Sequence, residues 1–142
     1  MHPQRGQLLA YIRLQCRVRP LQRPRLFSSA RFDERVYQPL ENQKELREKL
    51  GELEATWIRE SVFVDCFMQF QRSKRLQFPS TQQFGDLDNN VKAVYDGLQA
   101  ANFLMDDSQI VGGEAIKFFG PEDEVEIKIF AAILPEAAVV AA

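Results

Sequence analysis

The chain has 142 residues, 45% of them apolar, and a formal net charge of −2. This length suits one domain with one modest core, and no apolar run approaches the roughly 18 residues needed to span a membrane. His2 is the only histidine, and Cys16 and Cys66 lie fifty positions apart, so a zinc cluster, a Cys-His nucleophile pair and a Ser-His-Asp triad all lack residues. Any catalysis must therefore depend on carboxylates, lysine, tyrosine or a metal held by oxygen ligands.

The first 29 residues differ in charge from the rest of the chain. They contain six arginines and no acidic residue, so the rest of the chain has a net charge of −8. An amphipathic stretch at residues 8–13 and an Arg-x-Phe/Ser pattern at residues 25–30 predict a presequence for the mitochondrial matrix, cleaved near Phe27. The alternative is a basic arm that stays attached and contacts phosphates, in the nucleus or cytoplasm. Cleavage would remove Cys16, so no intrachain disulfide is expected.

Residues 36–135 predict an α+β domain, followed by an uninformative tail at 136–142. A helix is expected from about Leu40 to Arg59, because four apolar residues recur on one face: Leu46, Leu50, Leu53 and Trp57. Residues 61–70 are apolar on both faces, which favours a central strand. A second helix is expected at 89–101, and strands at 110–119 and 125–134. This order, helix–strand–helix–strand–strand, predicts a small mixed sheet packed by two helices.

Acidic residues cluster around the second predicted helix. Asp86 and Asp88 precede or begin it, Asp88 is a competent N-cap, and Lys92 lies one turn further on. The helix would carry the chain about 18 Å away, and five extended residues would bring Asp107 back by about 17 Å. Three carboxylates that repel one another and offer only oxygen ligands suit Mg²⁺ or Mn²⁺. The alternative interpretation is purely structural, with the aspartates serving as a helix cap and a turn and Lys92 forming a surface ion pair.

Calcium binding of the EF-hand type is excluded by the spacing. Val91 stands where that loop needs its glycine, and Gly97 stands where it needs a bidentate glutamate.

The sequence from Asp86 to Val111 resembles the signature of the RusA family of Holliday junction resolvases. That signature reads DLDN-x-x-K-x-x-x-D-x-L, then an apolar turn into D-D-x-Q-V, and the similarity is continuous over 26 positions. The resemblance implies a homodimeric, Mg²⁺-dependent endonuclease that cuts four-way DNA junctions in recombination and repair. It assigns catalysis and metal binding to Asp86, Asp88 and Asp107, makes Lys92 the catalytic cation, and leaves Asp106 as a neighbour.

Two departures from the family pattern lead to further predictions. Basic residues usually precede the first catalytic aspartate, but here the chain reads Gln83-Phe84-Gly85, so the loop residues Arg72, Lys74 and Arg75 are predicted to contact DNA instead. The family also begins with a strand, of which only residues 36–39 could be a remnant. Two alternatives stay open: an inactive relative that binds DNA or protein, and a nuclease for other branched DNA.

Overall fold

The computed structural model describes residues 1–20, 43–73 and 75–135. That part of the chain forms five strands, two α-helices and two short 3-10 turns, at Gln82–Phe84 and Asp107–Gln109. The strands are β1 (Gln4–Leu14), β2 (Val62–Gln71), β3 (Ile110–Gly112), β4 (Ala115–Gly120) and β5 (Glu124–Ile133). The helices are α1 (Lys44–Gly51) and α2 (Leu87–Ala100).

The strands form one mixed sheet in the order β1-β5-β2-β3, and β4 continues the pairing along β2. Both β3 and β4 are parallel to β2, whereas β5 is antiparallel to β2 and to β1. A parallel pair needs a crossover connection, and α2 provides it between β2 and β3. The predicted central strand is confirmed, since β2 is buried along most of its length.

The core lies between one face of the sheet and the two helices. Alternate residues of β2 are almost completely buried, as are Val125, Ile127 and Ile129 of β5. They form one cluster with Leu46 and Leu50 of α1 and with the inner face of α2, which consists of Ala93, Val94 and Leu98. Cys16 and Cys66 are both unpaired and buried here, and burial raises the pKa of each thiol to about 12, so neither is a ready nucleophile.

The α+β class, the mixed sheet and the two helices are as predicted, but the order of elements is not. The sheet begins with β1, which lies within the segment predicted to be a presequence and pairs with β5 from Gln4 to Leu14. Ile12, Cys16 and Val18 are part of the core. A short amphipathic run is compatible with either a strand or a helix. Here the segment is a strand because its backbone pairs with β5.

The folded domain therefore starts well before residue 36. The role of residues 1–29 in mitochondrial targeting remains a prediction. The suggested strand remnant at 36–39 and the suggested cleavage site near Phe27 lie outside the described residues.

The first helix is also shorter than predicted. It ends at Gly51, and Leu53 and Trp57 are 39% and 51% exposed instead of continuing the apolar face of Leu46 and Leu50. Trp57 has a φ of 51°, a left-handed conformation that no right-handed helix contains. The apolar spacing after Gly51 thus predicted a helix that the backbone does not form.

Candidate active site

Asp86 and Asp88 lie at the start of α2, and both side chains are exposed. The N-cap residue is Asp86, in an extended conformation, and not Asp88 as predicted. Asp88 lies inside the first turn, where its Oδ1 accepts a hydrogen bond from the backbone N–H of Asn89 at 3.0 Å. The free N–H groups and the dipole of the helix favour negative charge at this end, so both carboxylates are held where they are electrostatically tolerated.

The three residues before Asp86 are fixed by aromatic packing. Phe84 is buried, and its ring meets those of Phe70 and Phe119 edge-on, with centroids 5.3 Å apart in each pair. Gly85 follows with a φ of 81°, a conformation that suits glycine. Asn90 Nδ2 donates to the Phe84 carbonyl at 2.9 Å, which ties the loop to the first turns of α2.

Two basic residues from distant parts of the chain reach this loop. The Arg17 guanidinium lies over the rings of Phe70 and Phe84, at 5.5 and 5.2 Å from their centroids, and donates to the Gln83 carbonyl at 3.3 Å. Lys117 Nζ donates to the Gly85 carbonyl at 2.7 Å. Positive charge that the sequence lacks directly before Asp86 is therefore supplied by the tertiary structure.

Lys92 continues the exposed face of α2 that Asp88 begins. Residues four apart lie on one side of a helix, so Asp88, Lys92 and Asp96 form a stripe that leads towards Gln99. Lys92 is exposed and Asp96 is partly buried.

Asp107 lies beside the second half of α2. The chain reverses at Asn102, which has a φ of 63°, and Phe103 then donates from its N–H to the Leu98 carbonyl at 2.9 Å. The backbone N–H of Asp107 donates to Gln99 Oε1 at 3.2 Å. Gln99 is about 16 Å along the helix axis from Asp88, so the predicted return of Asp107 to the start of the helix is only partial.

The reversal also places two apolar side chains. Phe103 is buried, whereas Met105 is 48% exposed and does not pack inward.

The carboxylates of Asp106 and Asp107 have different surroundings. Hydrogen bonding from the Ser108 backbone N–H lowers the pKa of Asp106, which caps the Asp107–Gln109 turn. Desolvation raises the pKa of Asp107. Hydrogen bonding and charge from Asp106 raise this pKa further, and so does the charge of Asp96, whereas the positive charge of Lys92 lowers it. Asp106 is thus committed to the turn, and Asp107 faces an acidic neighbourhood that a cation would relieve.

The donor chemistry fits a hard divalent cation, because every candidate ligand is a carboxylate oxygen. The described residues contain no group of three or more Asp, Glu, His or Cys side chains placed to hold a metal ion. Asp86 and Asp88 are at the start of α2, whereas Asp107 is beside Gln99 near its end.

Two of the predicted DNA-contacting residues can be placed. Arg72 and Arg75 are exposed, and Lys74 lies outside the described residues. Arg72 follows β2 two residues after Phe70, and Asp86 comes two residues after Phe84. Because Phe70 and Phe84 are in contact, this part of the loop begins at the same end of the sheet as Asp86.

The family model for endodeoxyribonuclease RusA matches residues 19–130. The chain belongs to the RusA family. A search of curated proteins found no match. RusA membership indicates a nuclease of the Holliday junction resolvase type, and the family binds branched DNA junctions. The RusA match begins after β1, and it includes the whole stretch from Asp86 to Val111.

In this RusA-family chain, no helix of the described part is both long and apolar enough to cross a membrane. Sequence reasoning missed four residues that support the site, namely Arg17, Gln99, Gln109 and Lys117. Gln109 stood inside the recognised motif and could have been singled out. Arg17 lay in a segment whose composition indicated targeting, and nothing in the sequence marked Gln99 or Lys117.

Proposed function

We propose that this RusA-family protein is an active Mg²⁺-dependent endonuclease that resolves four-way DNA junctions in recombination and repair. The observation that carries the proposal is the exposure of Asp86, Asp88, Lys92 and Asp107 along α2. None of the four forms an ion pair with another side chain in the described part of the chain. These four exposed side chains are free to contact a metal ion or DNA, and they stand at the catalytic positions of the RusA signature.

Asp86, Asp88 and Asp107 are the residues that would hold the metal, Mg²⁺ or Mn²⁺. A bound divalent ion supplies Lewis acidity and lowers the pKa of a coordinated water. Lys92 would contact a phosphate oxygen of the DNA, because its ammonium can donate three hydrogen bonds and stabilise negative charge.

A homodimer would bring the separated carboxylates together. With a two-fold axis crossing the exposed face of α2 near its middle, Asp107 of one copy faces Asp86 and Asp88 of the other. Two-fold symmetry generates two such sites, which is the number required to cut two strands of a junction. The separation of the carboxylates within one copy supports this part of the proposal.

Arg72, Lys74 and Arg75 would contact the phosphate backbone of the junction arms. An acidic protein needs local positive charge to approach DNA, and the start of this loop lies at the Asp86 end of the sheet. Delivery to mitochondria belongs to the proposal on the grounds of composition alone.

The test is the substitution Asp88→Asn, measured by cleavage of a synthetic four-way junction with Mg²⁺ and by binding to the same junction without metal. We expect cleavage to fall by more than roughly 100-fold, because a metal ligand is lost. Binding should be unchanged or tighter, because a negative charge near phosphate is removed.

The matched control is Glu54→Gln, which neutralises an exposed carboxylate outside the site and should cut like the wild type. Equal loss of binding and cleavage in Asp88→Asn would show that Asp88 serves the fold.

A further inference from the structure

One side chain holds the turn that carries Asp107. Gln109 Oε1 accepts hydrogen bonds from the backbone N–H groups of Met105 and Asp106, at 2.7 and 2.9 Å. Its Nε2 donates to the carbonyls of Ile58 and Glu60, both at 2.9 Å. A carboxamide has two donor hydrogens and two acceptor lone pairs, so Gln109 uses its full capacity to join two backbone segments.

The segment to which Gln109 ties the turn is itself anchored to the end of α2. Trp57 donates from its N–H to the Asn102 carbonyl at 3.1 Å, and Ile58 to the Phe103 carbonyl at 2.9 Å. Trp57 and Asn102 are the non-glycine residues of the described chain with positive φ. Such conformations persist only where the surroundings hold them, which indicates that residues 57–60 form a fixed support.

Apart from that tie, the Asp107 turn is held through its flanking residues, Leu104, which pairs with Ile58, and Ile110, which begins β3. Residues 105–108 are all exposed, so apolar packing contributes little. Among the described residues, the longer hydrogen bond from the Asp107 N–H to Gln99 Oε1, at 3.2 Å, links the turn to the face of α2.

We propose that Gln109 is a positioning residue, whose carboxamide fixes the Asp107 carboxylate for metal binding by tying residues 105–106 to the carbonyls of residues 58 and 60. The inference rests on the proposed nuclease function and deepens it. Gln109 does not touch metal or DNA itself. It acts by limiting the positions that Asp107 can adopt, which lowers the entropy lost when a metal binds.

The test compares Gln109→Met, which keeps the length of the side chain and removes its hydrogen bonds, with Gln69→Met. Gln69 is the matched control, because its Nε2 also donates to a backbone carbonyl, that of Glu122 at 2.8 Å, but in the turn between β4 and β5. Three properties are measured: amide hydrogen exchange without metal, Mn²⁺ affinity by calorimetry, and junction cleavage at varied Mn²⁺.

In Gln109→Met we expect exchange at Met105 and Asp106 to accelerate by roughly tenfold or more. We expect Mn²⁺ affinity to weaken by roughly tenfold, and cleavage to recover in part at high Mn²⁺. Junction binding without metal should stay at the wild-type value. Gln69→Met should change none of these.

Unchanged exchange at Met105 and Asp106 would overturn the inference, as would faster exchange with wild-type Mn²⁺ affinity and cleavage. Equal losses in Gln69→Met would also overturn it, since general loosening would then explain both. Failure of the proposed function is distinguishable, because it appears in the wild-type protein as an absence of junction cleavage. Failure of the inference appears only between the variants.

Discussion

At the scale of single residues, Asp65 is a buried carboxylate in the middle of β2 whose partner comes from β1. Arg5 donates from Nε and Nη2 to its two oxygens at 2.9 and 2.7 Å, and the Glu114 backbone N–H donates at 2.8 Å. Burial disfavours the charged carboxylate, but these hydrogen bonds outweigh burial and hold the pKa of Asp65 below its usual value. The pair therefore stabilises the fold above the ordinary pKa of aspartate, about 3.9, and this contribution is lost as the pH falls through the lower folded pKa.

We predict that Arg5→Met lowers the free energy of unfolding at pH 7 by about 1–2 kcal/mol, less than for a fully buried pair because water reaches Arg5. The Arg5 side chain is 40% exposed and that of Asp65 is 8% exposed. Without Arg5, burial dominates and raises the pKa of Asp65, so the deficit should shrink as the pH is lowered and the carboxyl becomes neutral. Urea denaturation at several pH values measures this.

The matched control is Arg13→Met on the same strand. Arg13 pairs with Glu124, but its side chain is 64% exposed. The cost of this substitution should be clearly smaller than that of Arg5→Met, because an exposed ion pair contributes little. A deficit in Arg5→Met that does not change between pH 7 and pH 4 would contradict the account of Asp65.

At the scale of elements, β1 connects the N-terminal segment to both the fold and the candidate site. It forms an edge of the sheet against β5, and the residues after it bring Val18 into the core and Arg17 onto Phe84. Loss of this element would leave Asp65 without Arg5 and expose one edge of β5.

We predict that a protein starting at Ser28 does not fold stably. Burial of Ile12 and Val18 alone contributes roughly 1.5–3 kcal/mol each, a large part of a typical stability of about 5–15 kcal/mol. Circular dichroism and thermal denaturation measure the outcome, and deletion of residues 1–3, which precede β1, is the matched control.

A folded, junction-cutting protein from Ser28 would show that β1 is dispensable. It would also make cleavage near Phe27 compatible with function.

At the scale of the whole molecule, the crossover from β2 through α2 to β3 determines where the carboxylates lie. A helix that connects two parallel strands runs back along them. Its first residues, with Asp86 and Asp88, lie at one end of β2, and the residues before β3, with Asp107, lie towards the other. A site that requires all three is therefore expected to form between two copies.

We predict that mixing Asp86→Asn with Asp107→Asn restores strand cutting, although each variant alone is inactive. In a shared site, a mixed dimer has one doubly substituted site and one intact site, and random exchange makes about half of the dimers mixed. Each mixed dimer should nick one strand of the junction, as measured on denaturing gels.

The matched control is a mixture of Asp86→Asn with Asp88→Asn, which leaves no intact site in any dimer and should stay inactive. If subunit exchange is demonstrated with tagged copies and the first mixture remains inactive, each copy holds its own complete site.

The sequence alone determined the elements whose patterns are local. The strand predicted at 110–119 is in fact two strands, β3 and β4, separated at Gly113 and Glu114. Side-chain periodicity did predict the burial of β2 on both faces, the alternation of β5 and the extent of α2 to within about two residues at its start. The signature around Asp86 and Asp107 identified the family before any coordinates, because a long motif at fixed spacing is specific. These features depend on neighbours in the chain, which a sequence shows directly.

Only the tertiary structure decided which distant segments meet. These contacts join residues that lie 32 to more than 100 positions apart in the sequence. They are the pairing of β1 with β5, the contact of Arg5 with Asp65, and the contacts of Arg17 and Lys117 with the loop before Asp86. The same holds for Asp107, whose position depended on a left-handed turn at Asn102 and on the Gln109 hydrogen bonds. Periodicity and composition carry no information on such contacts, because their free energy comes from burial and hydrogen bonding that exist only after the chain has folded.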